Sequence, residues 1–184
     1  MHAFFLALFF SLGAIVGSFL NVFALRYNTG RSLGGRSSCH SCGKRLAWHE
    51  LIPIASFFIL RGRCGACKSA ISLQYPIVEF LTGILFVLIG FRLLAGPIDA
   101  YRISFAFYEA ILWGLLTVIS VYDLRHKIIP NGLVYAFSGF SALFLFGFPD
   151  AWGDFSYERL FAGVGLALFP ATLWLVSRGR WMGL

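Results

Sequence analysis

Residues Ala3 to Leu25 form 23 consecutive positions without a charged side chain, and no other feature limits the fold of this chain so much. At about 1.5 Å per residue, a helix of that length crosses the roughly 30 Å hydrocarbon layer of a bilayer. The run lacks a basic leading region and more apolar stretches follow it, so it reads as a retained helix and not as a cleaved signal peptide. Four further spans are expected, at about Pro76 to Leu94, Ile103 to Val121, Ile128 to Phe148 and Leu160 to Ser177. Each must be helical, because the bilayer core offers no water to backbone groups. Composition agrees: of 184 residues, 59% are hydrophobic and 12% charged, where a soluble domain carries about a quarter charged.

The charges that remain are unevenly placed. Between Arg26 and Lys68 there are eight Lys or Arg and one acid, Glu50. The loop after the third span holds Arg125 and Lys127, and the tail holds Arg178 and Arg180, whereas the even-numbered loops carry acids that offset their few basic residues. By the positive-inside rule the odd loops face the cytoplasm and the N-terminus lies outside. The basic loop suits phospholipid headgroups or an anionic ligand. A nucleic-acid partner is not expected, because these residues sit in a loop clamped between spans. At about 50 residues this loop is too long to be a mere connection. Three regions are therefore expected: a first helix at 1–25, a cytoplasmic subdomain at 26–75 and a membrane core at 76–184.

All four cysteines lie in that subdomain, as Cys39-His40-Ser41-Cys42 and Cys64-Gly65-Ala66-Cys67. Two such pairs, 21 residues apart, read as a zinc site. A CxxC turn aims two thiolates at one point, and two turns complete a tetrahedron around Zn²⁺. Gly43 and Gly65 are expected to ease the tight backbone around the sulfurs, where positive φ is often needed. A loop this polar has little core of its own, so metal binding would supply folding energy. Disulfides do not suit a cytoplasmic loop, and a thioredoxin-like pair would need a βαβ unit that is absent. Four thiolates leave no open position, so the zinc is expected to be structural. His40 and His49 are read as solvated side chains. The expected fold is thus all-α, a polytopic membrane helix bundle of about five spans with a small cytoplasmic zinc-knuckle loop.

Ionisable residues at membrane depth default to function, and three stand out: Glu79, Glu109 and Asp123. Each also has a plain structural reading. Glu79 suits the first turn of a span that begins near Pro76. Glu109 is expected to bond within the bundle. Asp123 could be an interfacial carboxylate paired with Arg125 or Lys127. In the first span Gly13, Gly17 and Ser18 make a small-residue face suited to close helix packing, and Asn21 is placed to cap or bridge helices.

Together these residues resemble the prepilin peptidases of bacteria. The first span ends Gly17-Ser18-Phe19-Leu20-Asn21-Val22 and is followed by Arg26. The loop continues Arg36-Ser37-Ser38-Cys39-His40-Ser41-Cys42, Leu51-Ile52-Pro53-Ile54-Ala55-Ser56, Leu60-Arg61-Gly62-Arg63-Cys64-Gly65-Ala66-Cys67 and Ile71-Ser72-Leu73-Gln74-Tyr75-Pro76-Ile77-Val78-Glu79. His40 departs from the family's usual proline, and Ala55 also differs from the common residue. Asp123 with Ile129-Pro130-Asn131 matches a further family motif. The resemblance implies a GxGD-type membrane aspartyl protease of the bacterial inner membrane. Such an enzyme cuts the leader of type IV prepilins and pseudopilins at the cytoplasmic face, and bifunctional members then N-methylate the new terminus with S-adenosylmethionine. It implies Asp123 as one catalytic carboxylate, Cys39, Cys42, Cys64 and Cys67 as structural zinc ligands, and Gly62, Arg63 and Glu79 as candidate contributors to the methyl-donor site. The second catalytic aspartate is expected just after Gly183-Leu184 in a GxGD motif, so the sequence is expected to be shortened before it. The alternatives kept open are a peptidase without methylation, and a non-catalytic zinc-knuckle adaptor for pilin-like helices.

Overall fold

The computed structural model describes residues 2–30, 32, 34–147 and 172. Their regular structure is helical: α1 His2–Arg26, α2 Ala55–Ile59, α3 Gln74–Leu94, α4 Ala100–His126 and α5 Asn131–Gly147, with a 3₁₀ turn at Trp48–Leu51. Among the described residues there is no strand, only the isolated bridges Ser38–Arg45 and Arg63–Ala70. Three segments are long and apolar enough to cross a membrane: Ala3–Arg26, Gln74–Leu94 and Ala100–His126. The expected fifth span lies outside the described residues. The chain divides into two units, Met1–Ala142 and Leu143–Leu184, and the packing below belongs to the first.

The ends of the helices follow local chemistry. Helix α4 starts three residues before the expected Ile103, because the Asp99 side chain caps it by accepting the Arg102 N–H at 2.8 Å. It runs on through Asp123 to His126 and closes on Lys127, which takes the left-handed conformation (φ 57°) and donates its N–H to the Asp123 carbonyl at 2.7 Å. Pro130 disfavours helix at Ile129, so α5 begins at Asn131 and not at the expected Ile128. The described part of this expected fourth span is a helix of 17 residues.

The bundle is built on a close approach of α1 and α3. A Cβ added to Gly13 would stand 2.6 Å from the Thr82 carbonyl oxygen, and one added to Gly17 would stand 2.5 Å from Thr82 Oγ1 and 3.0 Å from Glu79 Cα. The match is reciprocal: Gly83 of α3 receives the Phe10 ring of α1. Small residues let backbones approach where lipid supplies no hydrophobic driving force between helices. Thr82 is fully buried here, and its hydroxyl donates back to the Val78 carbonyl. Ala24, Val78, Val118, Val121 and Leu133 then form a core joining α1, α3, α4 and the start of α5. Gly17→Leu is expected to force these helices apart, at a cost of at least about 1–3 kcal/mol typical of overpacking. Thermal unfolding in detergent checks this, with Leu12→Ala on an exposed position of α1 as the near-neutral control.

The two ends of the bundle differ. At one end Arg92 of α3 bonds Glu109 of α4 at 2.5 Å, which is the bundle bond expected for Glu109. At the other end α1 finishes, α3 starts and α4 finishes. The cysteine loop joins α1 to α3 at that end, so the loop and the Asp123 end of α4 lie on the same side.

Candidate functional site

The two cysteine pairs fold as a repeat. Cys39 donates its N–H to the Lys44 carbonyl, and Gly43 donates to the Cys39 carbonyl, both at 2.9 Å. In the second copy Cys64 donates to Ser69 at 2.8 Å and Lys68 donates to Cys64 at 3.1 Å. Gly43 and Lys68 hold equivalent positions, with φ of 71° and 61°. Positive φ is thus needed at the residue after each second cysteine, not at Gly65 as expected, and in the second knuckle a lysine accepts it.

The four Sγ atoms lie within 4.8 Å of one another, and those of Cys39 and Cys67 are 3.8 Å apart. A tetrahedron of thiolates at about 2.3 Å from zinc has edges of about 3.8 Å, so the donor set fits that ion. No histidine belongs to the group. The N–H groups of Cys42 and Ser41 aim at the Cys39 sulfur and bring its thiol down to about 5. At Cys42 the Lys44 N–H favours the thiolate, yet desolvation and the sulfurs of Cys67 and Cys39 outweigh it and push the thiol up to about 11. Four crowded sulfurs cannot all ionise without a cation among them.

Gly65 serves a different purpose from the one expected. A Cβ there would stand 2.7 Å from Glu50 Oε1. Glu50 is buried and accepts from the Ala47 N–H at 2.9 Å and from Lys44 Nζ at 3.1 Å. Its carboxylate thereby links the first knuckle, the 3₁₀ turn and the second knuckle. The Ala47 N–H, with Lys44 beside it, holds the Glu50 carboxyl below the usual carboxylate range. This link stabilises the loop above that range and is lost as the pH falls through the lowered value. Gly65→Ala is expected to displace Glu50 and loosen the loop by about 1–3 kcal/mol. Zinc release to a competing chelator should accelerate severalfold while the spans keep their helicity by circular dichroism.

Where the loop meets the helices, Glu79 is 6% exposed. Its Oε2 accepts the Ile54 N–H at 2.6 Å, and Ser18 of α1 bonds it as well. Ile54 has φ 62° and ψ −55°, and Ala55 donates to the Pro53 carbonyl at 2.6 Å. This three-residue turn is rare and strained, the more so for a β-branched residue. Glu79 therefore clamps a strained loop turn onto the membrane bundle. The helix-terminus reading of Glu79 does not hold, because α3 begins at Gln74 and carries no acid in its first turn; spacing alone does not show the clamping role.

Beside this clamp a side-chain chain ties three helix ends together. Asn21, fully buried in α1, donates to the Tyr75 carbonyl at 3.4 Å and accepts from Gln74 Nε2 at 3.2 Å. Gln74 Oε1 in turn accepts from Arg125 Nη1 of α4 at 3.2 Å. Asn21 bridges helices as its place in the sequence suggested, whereas Gln74 gave no signal there. Above these ends lies a cavity of about 680 Å³ with Ser18, Arg26, Cys39, Tyr75, Glu79 and Arg125 among its walls. Gly62 and Arg63 are not among the lining residues. Gly62 (φ 65°) turns the chain over the Phe57 ring, and Arg63 forms the bridge to Ala70.

Asp123 sits half-buried in the last turn of α4, two residues before Arg125. Its carboxylate makes no hydrogen bond or ion pair to the described residues, and the pairs with Arg125 or Lys127 do not form. Residues two apart on a helix do not face each other, and Lys127 leaves the helix in its left-handed turn. Around it Tyr27 meets Tyr122 edge-on, and Tyr122 lies against His126.

Residues 11–93 match the family described as the bacterial peptidase A24 N-terminal domain. The chain is 38% identical over 161 residues to a prepilin leader peptidase/N-methyltransferase of Myxococcus xanthus (strain DK1622), covering 87% of this chain and 45% of that protein. It is 32% identical over 177 residues to the protein of that name in Bacillus subtilis (strain 168), covering 95% and 66%. With its counterpart in Klebsiella pneumoniae the identity is 27% over 164 residues, covering 80% and 68%. The chain thus spans between 45% and 66% of the length of the first two. No solved structure matches it. With an A24 N-terminal domain that takes in the first knuckle, the second knuckle and Glu79, and with relatives aligning along most of its length, the chain belongs to the prepilin leader peptidase/N-methyltransferase family.

Proposed function

We propose that this protein removes the leader of type IV prepilins and pseudopilins at the cytoplasmic face of the bacterial inner membrane, and then N-methylates the new terminus. The observation that carries this is the cavity that the cysteine loop shares with Arg125 at the end of α4, two residues past Asp123, which does not itself line it. A substrate helix lying in the membrane could present its cleaved end to the cavity and to Asp123 without leaving the protein. The three regions keep distinct tasks: 1–25 and 76–184 hold the substrate in the membrane, and 26–75 closes the methyl-donor site.

Asp123 is assigned as one carboxylate of an aspartyl protease. Its carboxylate, which bonds none of the described residues, is open to bond a water, take its proton and turn it on the scissile carbonyl. Such chemistry needs a second carboxylate to share a proton, which the GxGD motif expected just after Gly183-Leu184 would supply. When bound, S-adenosylmethionine would supply a methyl group for the free amine. The cavity would hold it with Glu79 in the wall and the knuckles as the roof. Zinc on Cys39, Cys42, Cys64 and Cys67 is structural and keeps that roof folded.

The methylating half is testable apart from cleavage. The detergent-solubilised protein is given an already-cleaved pilin-like peptide and radiolabelled S-adenosylmethionine. Label is expected on the peptide's terminal nitrogen, and none when that amine is acetylated. Absence of label from the free peptide would remove the methyltransferase from the proposal.

A further inference from the structure

Apart from its cysteines, the cavity is lined by four acidic or basic side chains, and three have their demands met. Glu50 bonds Lys44 and the Ala47 N–H, and Glu79 bonds the Ile54 N–H. Arg26 donates to the Ser32 and Gly34 carbonyls at 3.0 and 3.4 Å. Arg125 differs. Its one hydrogen bond to the described residues goes to a neutral amide, Gln74 Oε1, and no acid pairs with it among them. Gln74 is itself fixed by Asn21, which is 0% exposed. A guanidinium has five donors in a planar fork matched to a carboxylate. One is spent on orientation, and the group lines the cavity.

We infer that Arg125 is the carboxylate-recognising residue of the cavity, and that Gln74, held by Asn21, is its positioning residue. This rests on the cavity being the methyl-donor site. The ligand it fits is a zwitterion, with its carboxylate on Arg125 and its cationic centre toward the Glu79 wall. The methionyl end of S-adenosylmethionine has that chemistry. An acidic side chain of the substrate peptide could supply the same carboxylate.

Binding is measured by calorimetry on the detergent-solubilised protein, with S-adenosylmethionine and with its decarboxylated analogue, which keeps the adenosyl and sulfonium groups. The unaltered protein is expected to bind the full donor at least tenfold more tightly. Arg125→Met should erase that preference and leave affinity for the analogue unchanged, and Gln74→Leu should reduce the preference severalfold. If Arg125→Met keeps the donor preference but loses a preference for a peptide with Glu over its Gln counterpart, the carboxylate comes from the substrate and Arg125 still reads it. If Arg125→Met weakens both donors equally, or changes neither preference, the inference is overturned. Ala70→Phe checks the cavity itself by filling one of its walls. It should weaken both donors alike, and unchanged binding of both would mean that the donor sits elsewhere.

Discussion

In protein that carries the GxGD aspartate expected after Gly183-Leu184, Asp123→Asn is expected to lower leader cleavage by about 10²–10⁴-fold or more, the range associated with a positioned acid or base. The substitution keeps the size of the side chain and removes only its capacity to take a proton. Because the Asp123 carboxylate bonds none of the described residues, little packing depends on its charge. Its carbonyl, which caps the helix through Lys127, is untouched. Zinc content, thermal stability and methylation of an already-cleaved peptide should therefore match the unaltered protein. Loss of cleavage together with loss of stability would point to a structural carboxylate. Retained cleavage would withdraw Asp123 from the chemistry. The readout is the rate of appearance of the shortened peptide by mass spectrometry.

Replacing Cys64 and Cys67 with serine should have the opposite pattern. Cys64 is buried beneath the loop, whereas Cys42 and Cys67 are exposed, so the pair removes both an inner and an outer ligand. Structural zinc contributes about 10–16 kcal/mol in small zinc-finger peptides, and two ligands cannot retain most of that. Bound zinc should fall from one per chain to near zero, and protease should nick the segment between α1 and α3. Methyl transfer should be lost, while the three spans keep their helicity. Zinc remaining at one per chain would exclude the tetrathiolate site.

Much of this organisation is legible in the sequence where one physical rule dominates. Long uncharged runs must be helices in lipid, and paired CxxC turns bring their sulfurs together, so the first three spans and the cysteine cluster follow from spacing. The small-residue face at Gly13 and Gly17 likewise meets its partner helix. What sequence does not carry is contact across distance. Gly65 reads as a turn glycine, yet it makes room for the Glu50 carboxylate, and the turn position is taken by Lys68. Glu79 reads as a helix-terminus acid, yet it holds a strained Ile54 turn 25 residues away. Gln74 has no recognisable signal, because its importance comes from lying between Asn21 and Arg125. Each of these roles depends on which helix ends meet, and periodicity is silent on that.

The most direct measurement incubates the protein, in a form that carries the GxGD aspartate expected after Gly183-Leu184, in lipid vesicles with a prepilin-like substrate and S-adenosylmethionine, and weighs the product by mass spectrometry. The account predicts a product that has lost its leader and gained one methyl group on the new terminal nitrogen. A substrate returned at its starting mass, by protein with one zinc per chain and folded spans, would contradict it.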